Sequence, residues 1–135
     1  MAVSNRCAGL SVVVVDDHDD GRELVSDVLR LAGASVRDYR DGASALRAIE
    51  EVEPDVVVTD LAMSPMDGLE LAALLRKHGP GRHPILAITG HAELGAEALG
   101  LFDGIVLKPV DVATLPGLVA RVARSRAIPP RRAGR

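Results

Sequence analysis

The chain has 135 residues, 47% of them hydrophobic, and a formal net charge of -3, which suits one domain large enough to bury a core. Its aromatic residues are Tyr39 and Phe102, with no Trp, and that argues against recognition by base stacking, as single-stranded nucleic-acid binding needs. No apolar run reaches a membrane span, Met1–Leu10 lacks the pattern of a secretory signal, and the lone Cys7 gives no disulfide framework and fits a reducing cytoplasm.

Residues 1–9 read as a flexible leader carrying Cys7. Val12 to Val15 is an unbroken β-branched run, the pattern of a strand buried on both faces, and it leads into Asp16 and Asp17. Leu24, Val25, Val28, Leu29 and Leu31 recur at helical spacing and Gly33 supplies a stop, so a helix is predicted over about 20–32. Asp19 and Asp20 suit capping positions ahead of it. Residues 34–39 alternate and are polar, as in an edge strand. Gly42–Val52 places Ala45, Leu46 and Ile49 on one helical face, and Pro54 ends that helix. Val56 to Val58 forms a third strand running into Thr59 and Asp60.

Asp67-Gly68 opens a third helix that buries Leu69, Leu71, Ala72, Leu74 and Leu75 and puts Arg76, Lys77 and His78 at the favourable end of its dipole. Gly79-Pro80-Gly81 breaks it. Ile85 to Ile88 is a fourth strand leading to Thr89. Residues 91–101 are Ala-rich and interrupted by Gly, predicting a short, loose helix. Ile105 to Leu107 is a fifth strand, followed by Lys108 and Pro109. Residues 111–124, with Leu115, Leu118, Val119 and Val122 on one side, form the fifth helix. The four histidines, at 18, 78, 83 and 91, lack a zinc spacing and read as surface residues, although His18 and His91 fall beside the strand-end acids.

The net charge hides an asymmetry. Residues 121–135 hold six Arg and no acid, so residues 1–120 carry ten basic against nineteen acidic groups, a net of -9. Residues 125–135 are expected to be a disordered basic tail or a linker, since Pro129-Pro130 and Gly134 interrupt the run. The body expected to fold is 10–124.

Strand and helix alternate five times, the pattern of an α/β doubly wound parallel sheet with right-handed crossovers. Ligands of such sheets sit outside the carboxyl ends of the strands, and Asp16, Asp17, Asp60, Thr89 and Lys108 all fall there. Packed carboxylates repel, which raises a pKa or requires a cation. A hard divalent ion such as Mg²⁺ answers that need with oxygen ligands.

An acidic pair after the first strand, an aspartate after the third, Thr after the fourth and Lys-Pro after the fifth resembles the receiver domain of two-component response regulators. The resemblance spans about residues 10–124. It implies a flavodoxin-like sheet of order 2-1-3-4-5 with five helices, in which Asp60 is central between the acidic pair and Thr89. It also implies that Asp60 accepts phosphoryl from a phosphohistidine on a histidine kinase or histidine phosphotransfer protein. Asp16, Asp17, Asp60 and the backbone carbonyl of Ala62 would hold Mg²⁺, while Thr89 and Lys108 bind the phosphoryl oxygens. Slow hydrolysis of the aspartyl phosphate, an unknown downstream protein, a possible homodimer through the fourth and fifth helices and a cytoplasmic location follow from the same resemblance, and direct DNA binding is not expected. The chain would be free-standing or excised from a hybrid kinase or larger regulator.

Two departures stand out. The family's usual Pro four residues after the acceptor is Ser64, with Pro65 next, and its aromatic switch position is Ile105, so an aromatic rotamer switch must be altered or absent. Two other readings compete. A pseudo-receiver would only dock proteins, against the intact Asp60, Thr89 and Lys108. A haloacid-dehalogenase-like phosphatase would want an acid two residues after the nucleophile, where Ala62 stands.

Overall fold

A computed structural model describes residues 5–79, 83–90 and 94–125. Five strands, β1 (Ser11–Val15), β2 (Ser35–Tyr39), β3 (Val56–Asp60), β4 (Ile85–Thr89) and β5 (Gly104–Leu107), alternate with helices α1 (Asp19–Leu31), α2 (Gly42–Val52), α3 (Gly68–His78), α4 (Ala96–Leu99) and α5 (Leu115–Ser125). The strands form one parallel sheet of order β2-β1-β3-β4-β5, the flavodoxin-like arrangement expected. Among the described residues no helix is long and apolar enough to cross a membrane.

Strand composition sets each strand's place. β3 and β4 are buried at every position, and β1 at all but its first residue, because both faces carry helices. β2 and β5 are the edges and are half-exposed. Side chains alternate between faces along a strand, so one valine run feeds two cores. Val12, Val14, Val56, Val58, Leu86 and Ile88 pack against Val25, Leu29, Leu115, Val119 and Val122 of α1 and α5. Val13, Val15, Val57, Ile85 and Ala87 pack against Ala45, Ile49, Leu71, Ala72 and Leu75 of α2 and α3. Full burial of each Val, Leu or Ile among these is worth about 1.5–3 kcal/mol, so aliphatic side chains carry most of both cores, with Phe102 joining the second.

Several expectations are corrected. Cys7 does not ride on a mobile leader: it is fully buried, its N–H donates to the Ala32 carbonyl at 2.9 Å and its thiol to the Pro116 carbonyl at 3.3 Å. Residues 5–9 therefore close one end of the first core, and burial pushes the thiol pKa up. Gly33, at φ +100°, takes a left-handed turn that passes against the Ala8 backbone, whose Cα a Cβ would meet at 3.0 Å. Of the five residues at helical spacing in α1, Leu24 and Leu31 lie exposed, and the helix buries Val25, Ser26 and Leu29. His83 is buried rather than on the surface. Asp19 and Asp20 lie inside the first turn of α1, whose N-cap is His18 with no side-chain hydrogen bond.

The fifth helix begins at Leu115, four residues later than expected. Asp111 folds the intervening residues into turns, its carboxylate accepting from Ala113 N–H at 3.0 Å and its carbonyl from Thr114 and Leu115. Pro116 then sits in the first helical turn, where a missing N–H costs nothing. The fourth helix is short, as expected, at four residues. The basic segment 126–135 and His91 lie outside the described residues.

Candidate functional site

The carboxyl end of β1 delivers the acidic pair. Val15 pairs with Thr59, so one residue later Asp16 and Asp60 leave the sheet side by side. Asp16 is held from three directions. Its N–H donates to Tyr39 O at 3.1 Å, its carbonyl accepts from Arg22 Nη1 at 2.9 Å, and its Oδ1 accepts the His18 N–H at 2.9 Å. Arg22 is itself fixed, with Nη2 2.7 Å from Asp19 Oδ1 and Nε 3.4 Å from Asp38 Oδ1. The first turn of α1 thus clamps the strand end. Gly21 allows the close approach, since a Cβ there would stand 2.8 Å from Asp16 Oδ2.

Asp17 faces the same space from a more open position. Its Oδ2 accepts the Ser64 N–H at 3.3 Å. Its Oδ1 is buried and accepts no hydrogen bond, although His18 Nδ1 lies 3.1 Å away in a geometry that makes none.

Asp60 ends β3 and is 2% exposed. Lys108 Nζ donates to its Oδ2 at 2.9 Å, and the Ala62 N–H to its Oδ1 at 3.3 Å. The Asp60 backbone is fixed by the start of α3, where Asp67 and Glu70 form a capping box. A Cβ on Gly68 would collide with the Asp60 carbonyl oxygen and the Leu61 Cα, so glycine is what lets this helix abut the strand end. Thr59 donates its hydroxyl to the Asp60 carbonyl at 2.9 Å.

Thr89 ends β4, buried at 2%, and its carbonyl accepts the Lys108 N–H at 2.8 Å. Lys108 itself is partly solvated, its side chain 40% exposed. The peptide bonds Ser64–Pro65 and Lys108–Pro109 are both cis. Ile105 is half-buried in the middle of β5, opposite Ala87 and packed on the α3 side of the sheet.

The arrangement leaves negative charge under-compensated. Burial pushes the Asp16 pKa up, and the neighbouring Asp60 carboxyl raises it further, against the His18 N–H and Lys108, which lower it. Lys108 pairs its ammonium with Asp60, while Asp16 and Asp17 crowd the same space. One oxygen each of Asp16 and Asp17, and one ring nitrogen of His18, lie within 4.8 Å of one another. Crowded acids with a buried oxygen lacking a donor fit a hard divalent cation, which supplies the missing positive charge.

The structure thus brings together Asp16, Asp17, Asp60 and Lys108, with Thr89 on the neighbouring strand end and Ala62 touching Asp60 through its N–H. Ile105 and Pro109 flank this group on β5 and after it. The sequence pattern gives no sign of the parts played by Arg22 and Gly21, and sets His18 only beside the acids. The Asp67-Gly68 pair marked a helix start, but nothing in the sequence says that the glycine faces the acceptor's carbonyl.

The sequence model of the response regulator receiver domain matches residues 12–120. The chain is 35% identical over 114 residues to Regulatory protein AtoC of Escherichia coli (strain K12), covering 82% of this chain and 24% of that protein. It is 34% identical over 109 residues to Sensor protein EvgS of the same organism, covering 78% of this chain and 9% of that protein. The chain therefore spans a quarter or less of these two relatives' lengths. The solved signal receiver domain of the putative response regulator NarL from Mycobacterium tuberculosis superposes with a TM-score of 0.77 at 35% identity, covering 87% of this chain and 98% of that one. Chemotaxis protein CheY4 of Vibrio cholerae gives 0.75 at 30% identity, covering 85% and 99%.

Proposed function

The chain belongs to the response regulator receiver domain family of two-component systems, and from that premise we propose that Asp60 is its phosphoacceptor. One Asp60 carboxylate oxygen attacks the phosphorus of a phosphohistidine on a histidine kinase or histidine phosphotransfer protein. A P–O bond forms, the P–N bond breaks, and the imidazole leaves. Transfer of this kind asks the protein for positioning and charge neutralisation more than for covalent chemistry. Mg²⁺ held by Asp16, Asp17, Asp60 and the Ala62 carbonyl would neutralise phosphoryl charge when bound.

The observation that carries this reading is the burial of Asp60 at 2% exposure with Lys108 Nζ 2.9 Å away. Burial keeps bulk water from the acyl phosphate and strengthens each charge-assisted contact. Lys108 has the partial exposure to swing its ammonium from the carboxylate to a phosphoryl oxygen. The Thr89 hydroxyl donates to another. Slow attack by water on the same phosphorus returns the domain to its resting state.

Output follows from the bond that Thr89 makes to phosphate. A charge-assisted hydrogen bond shifts a pair of states that differ by a few kcal/mol. Ile105 has neither ring nor hydroxyl, so β5 responds by repacking rather than by an aromatic rotamer switch. The downstream partner is a protein, a homodimer is one form of the response, and the setting is cytoplasmic.

The test is labelling by a small phosphodonor such as acetyl phosphate. Wild type takes up hydroxylamine-labile phosphate that depends on Mg²⁺, and Asp60→Asn takes up none. Undiminished uptake by Asp60→Asn overturns the acceptor assignment, and no uptake by wild type with donor and Mg²⁺ favours a docking module.

A further inference from the structure

The turn between β1 and α1 sets an imidazole against the acidic pair, and we propose that His18 is a further side-chain ligand beside Asp16 and Asp17, raising the cation site's affinity for transition-metal ions relative to Mg²⁺. The inference rests on the reading of Asp16 and Asp17 as cation ligands and adds a nitrogen donor to it.

His18 Nδ1 lies 3.1 Å from Asp17 Oδ1 and 3.5 Å from Asp16 Oδ1. Two ligands on adjacent corners of an octahedron with bonds of about 2.1 Å stand about 3 Å apart. The imidazole nitrogen thus stands at ligand spacing from the Asp17 oxygen and slightly wider from the Asp16 oxygen, and one ligand atom of each of the three residues lies within 4.8 Å of the others. The contact is not accounted for as a hydrogen bond, because Asp17 Oδ1 is buried and accepts none. Nor does packing hold the ring in place, since the His18 side chain is 71% exposed. What holds the residue is its backbone: the His18 N–H donates to Asp16 Oδ1 at 2.9 Å, and its carbonyl accepts the Arg22 N–H at 3.0 Å in the first turn of α1. The imidazole is tethered over the acids by the turn and is otherwise solvated.

Donor chemistry then decides selectivity. Mg²⁺ takes oxygen ligands and keeps its waters, so an imidazole adds little to its binding. Borderline ions such as Co²⁺ and Ni²⁺ bind imidazole well and follow the Irving–Williams order. A surface ion pair between His18 and the acids is the ordinary alternative and contributes little. It predicts no change in the ratio of affinities for the two classes of ion.

The experiment is calorimetric titration of the full chain with Co²⁺ and separately with Mg²⁺, using wild type, His18→Ala and Asp17→Asn. The Co²⁺ absorption spectrum and paramagnetic shifts of the imidazole protons provide a second readout. His18→Ala is expected to weaken Co²⁺ by about tenfold or more and Mg²⁺ by less than about twofold, with loss of the shifted imidazole signals. Asp17→Asn weakens both ions. If Asp17→Asn weakens both while His18→Ala leaves the Co²⁺ to Mg²⁺ ratio unchanged, the cation site stands and the role of His18 is overturned. If Asp17→Asn leaves both affinities unchanged, the cation site and the role of His18 fail together.

Discussion

Aspartates line both ends of the sheet, and the two ends use them in opposite ways. At the amino end Asp55 and Asp103 precede β3 and β5, and each closes its neighbour strand reciprocally. Asp55 N–H donates to Ser11 O at 2.8 Å while Ser11 N–H donates to Asp55 Oδ2 at 2.8 Å. Asp103 and Ile85 repeat the pattern at the same distances. Arg76 joins in from α3, with Nη2 2.8 Å from Asp103 Oδ2 and further bonds to the Leu101 and His83 carbonyls. At the carboxyl end Asp16, Asp17 and Asp60 face one another with Lys108, and one buried oxygen accepts nothing. The first arrangement satisfies its carboxylates and fixes the fold. The second leaves them in want of positive charge, which is the condition for binding a cation and a phosphoryl group.

If that contrast is correct, substitutions at the amino end should cost stability without altering phosphoryl uptake, and those at the carboxyl end should do the reverse. The largest effect belongs to Arg76→Ala, which leaves Asp103 buried and breaks a bonded pair. A loss of about 3–5 kcal/mol is expected, read by urea unfolding, with normal uptake by the folded fraction. Reduced uptake at full stability would break the contrast.

Gly68→Ala comes next and joins the two ends, since its Cβ meets the Asp60 carbonyl. Overpacking should cost about 1–3 kcal/mol and, unlike Arg76→Ala, should also slow uptake by displacing the acceptor. Asp55→Ala is milder, at about 1 kcal/mol for one strand-closing hydrogen bond, with uptake unchanged.

Asp16→Asn should have the smallest effect on stability and the opposite sign. Burial and Asp60 raise the Asp16 pKa, so ionising it costs more in the folded chain than in the unfolded one. That penalty is absent below the ordinary carboxylate range, grows as pH rises through it, and is complete above the raised folded value. The Asn variant should therefore melt a few degrees higher than wild type at neutral pH in chelator. The gain should vanish at acid pH, while uptake falls at neutral pH. Thermal melts across pH check this, and a variant less stable than wild type at neutral pH would contradict it.

Much of this was legible in the sequence because strand ends are fixed by pattern. Unbroken apolar runs place Asp16, Asp17, Asp60, Thr89 and Lys108 on one rim once the sheet is parallel, and the family resemblance supplies the strand order. Residues whose role depends on three-dimensional approach were not legible. Gly21 and Gly68 matter through the atoms a Cβ would strike, and Arg22 through a carbonyl six residues earlier. Asp55 and Asp103 carry no sequence signal of their role, because reciprocal closure depends on which strands are neighbours. Cys7 looked like part of a leader because nothing local reveals that residues 5–9 fold back under α1 and α5.

The central claim is that one of three crowded carboxylates, Asp60, takes the phosphoryl group. Borohydride reduction of the acetyl-phosphate-treated protein converts an aspartyl phosphate to homoserine, and peptide mass spectrometry then locates it. The account predicts homoserine at position 60 and nowhere else. Homoserine at position 16 or 17, with residue 60 unmodified, would contradict it.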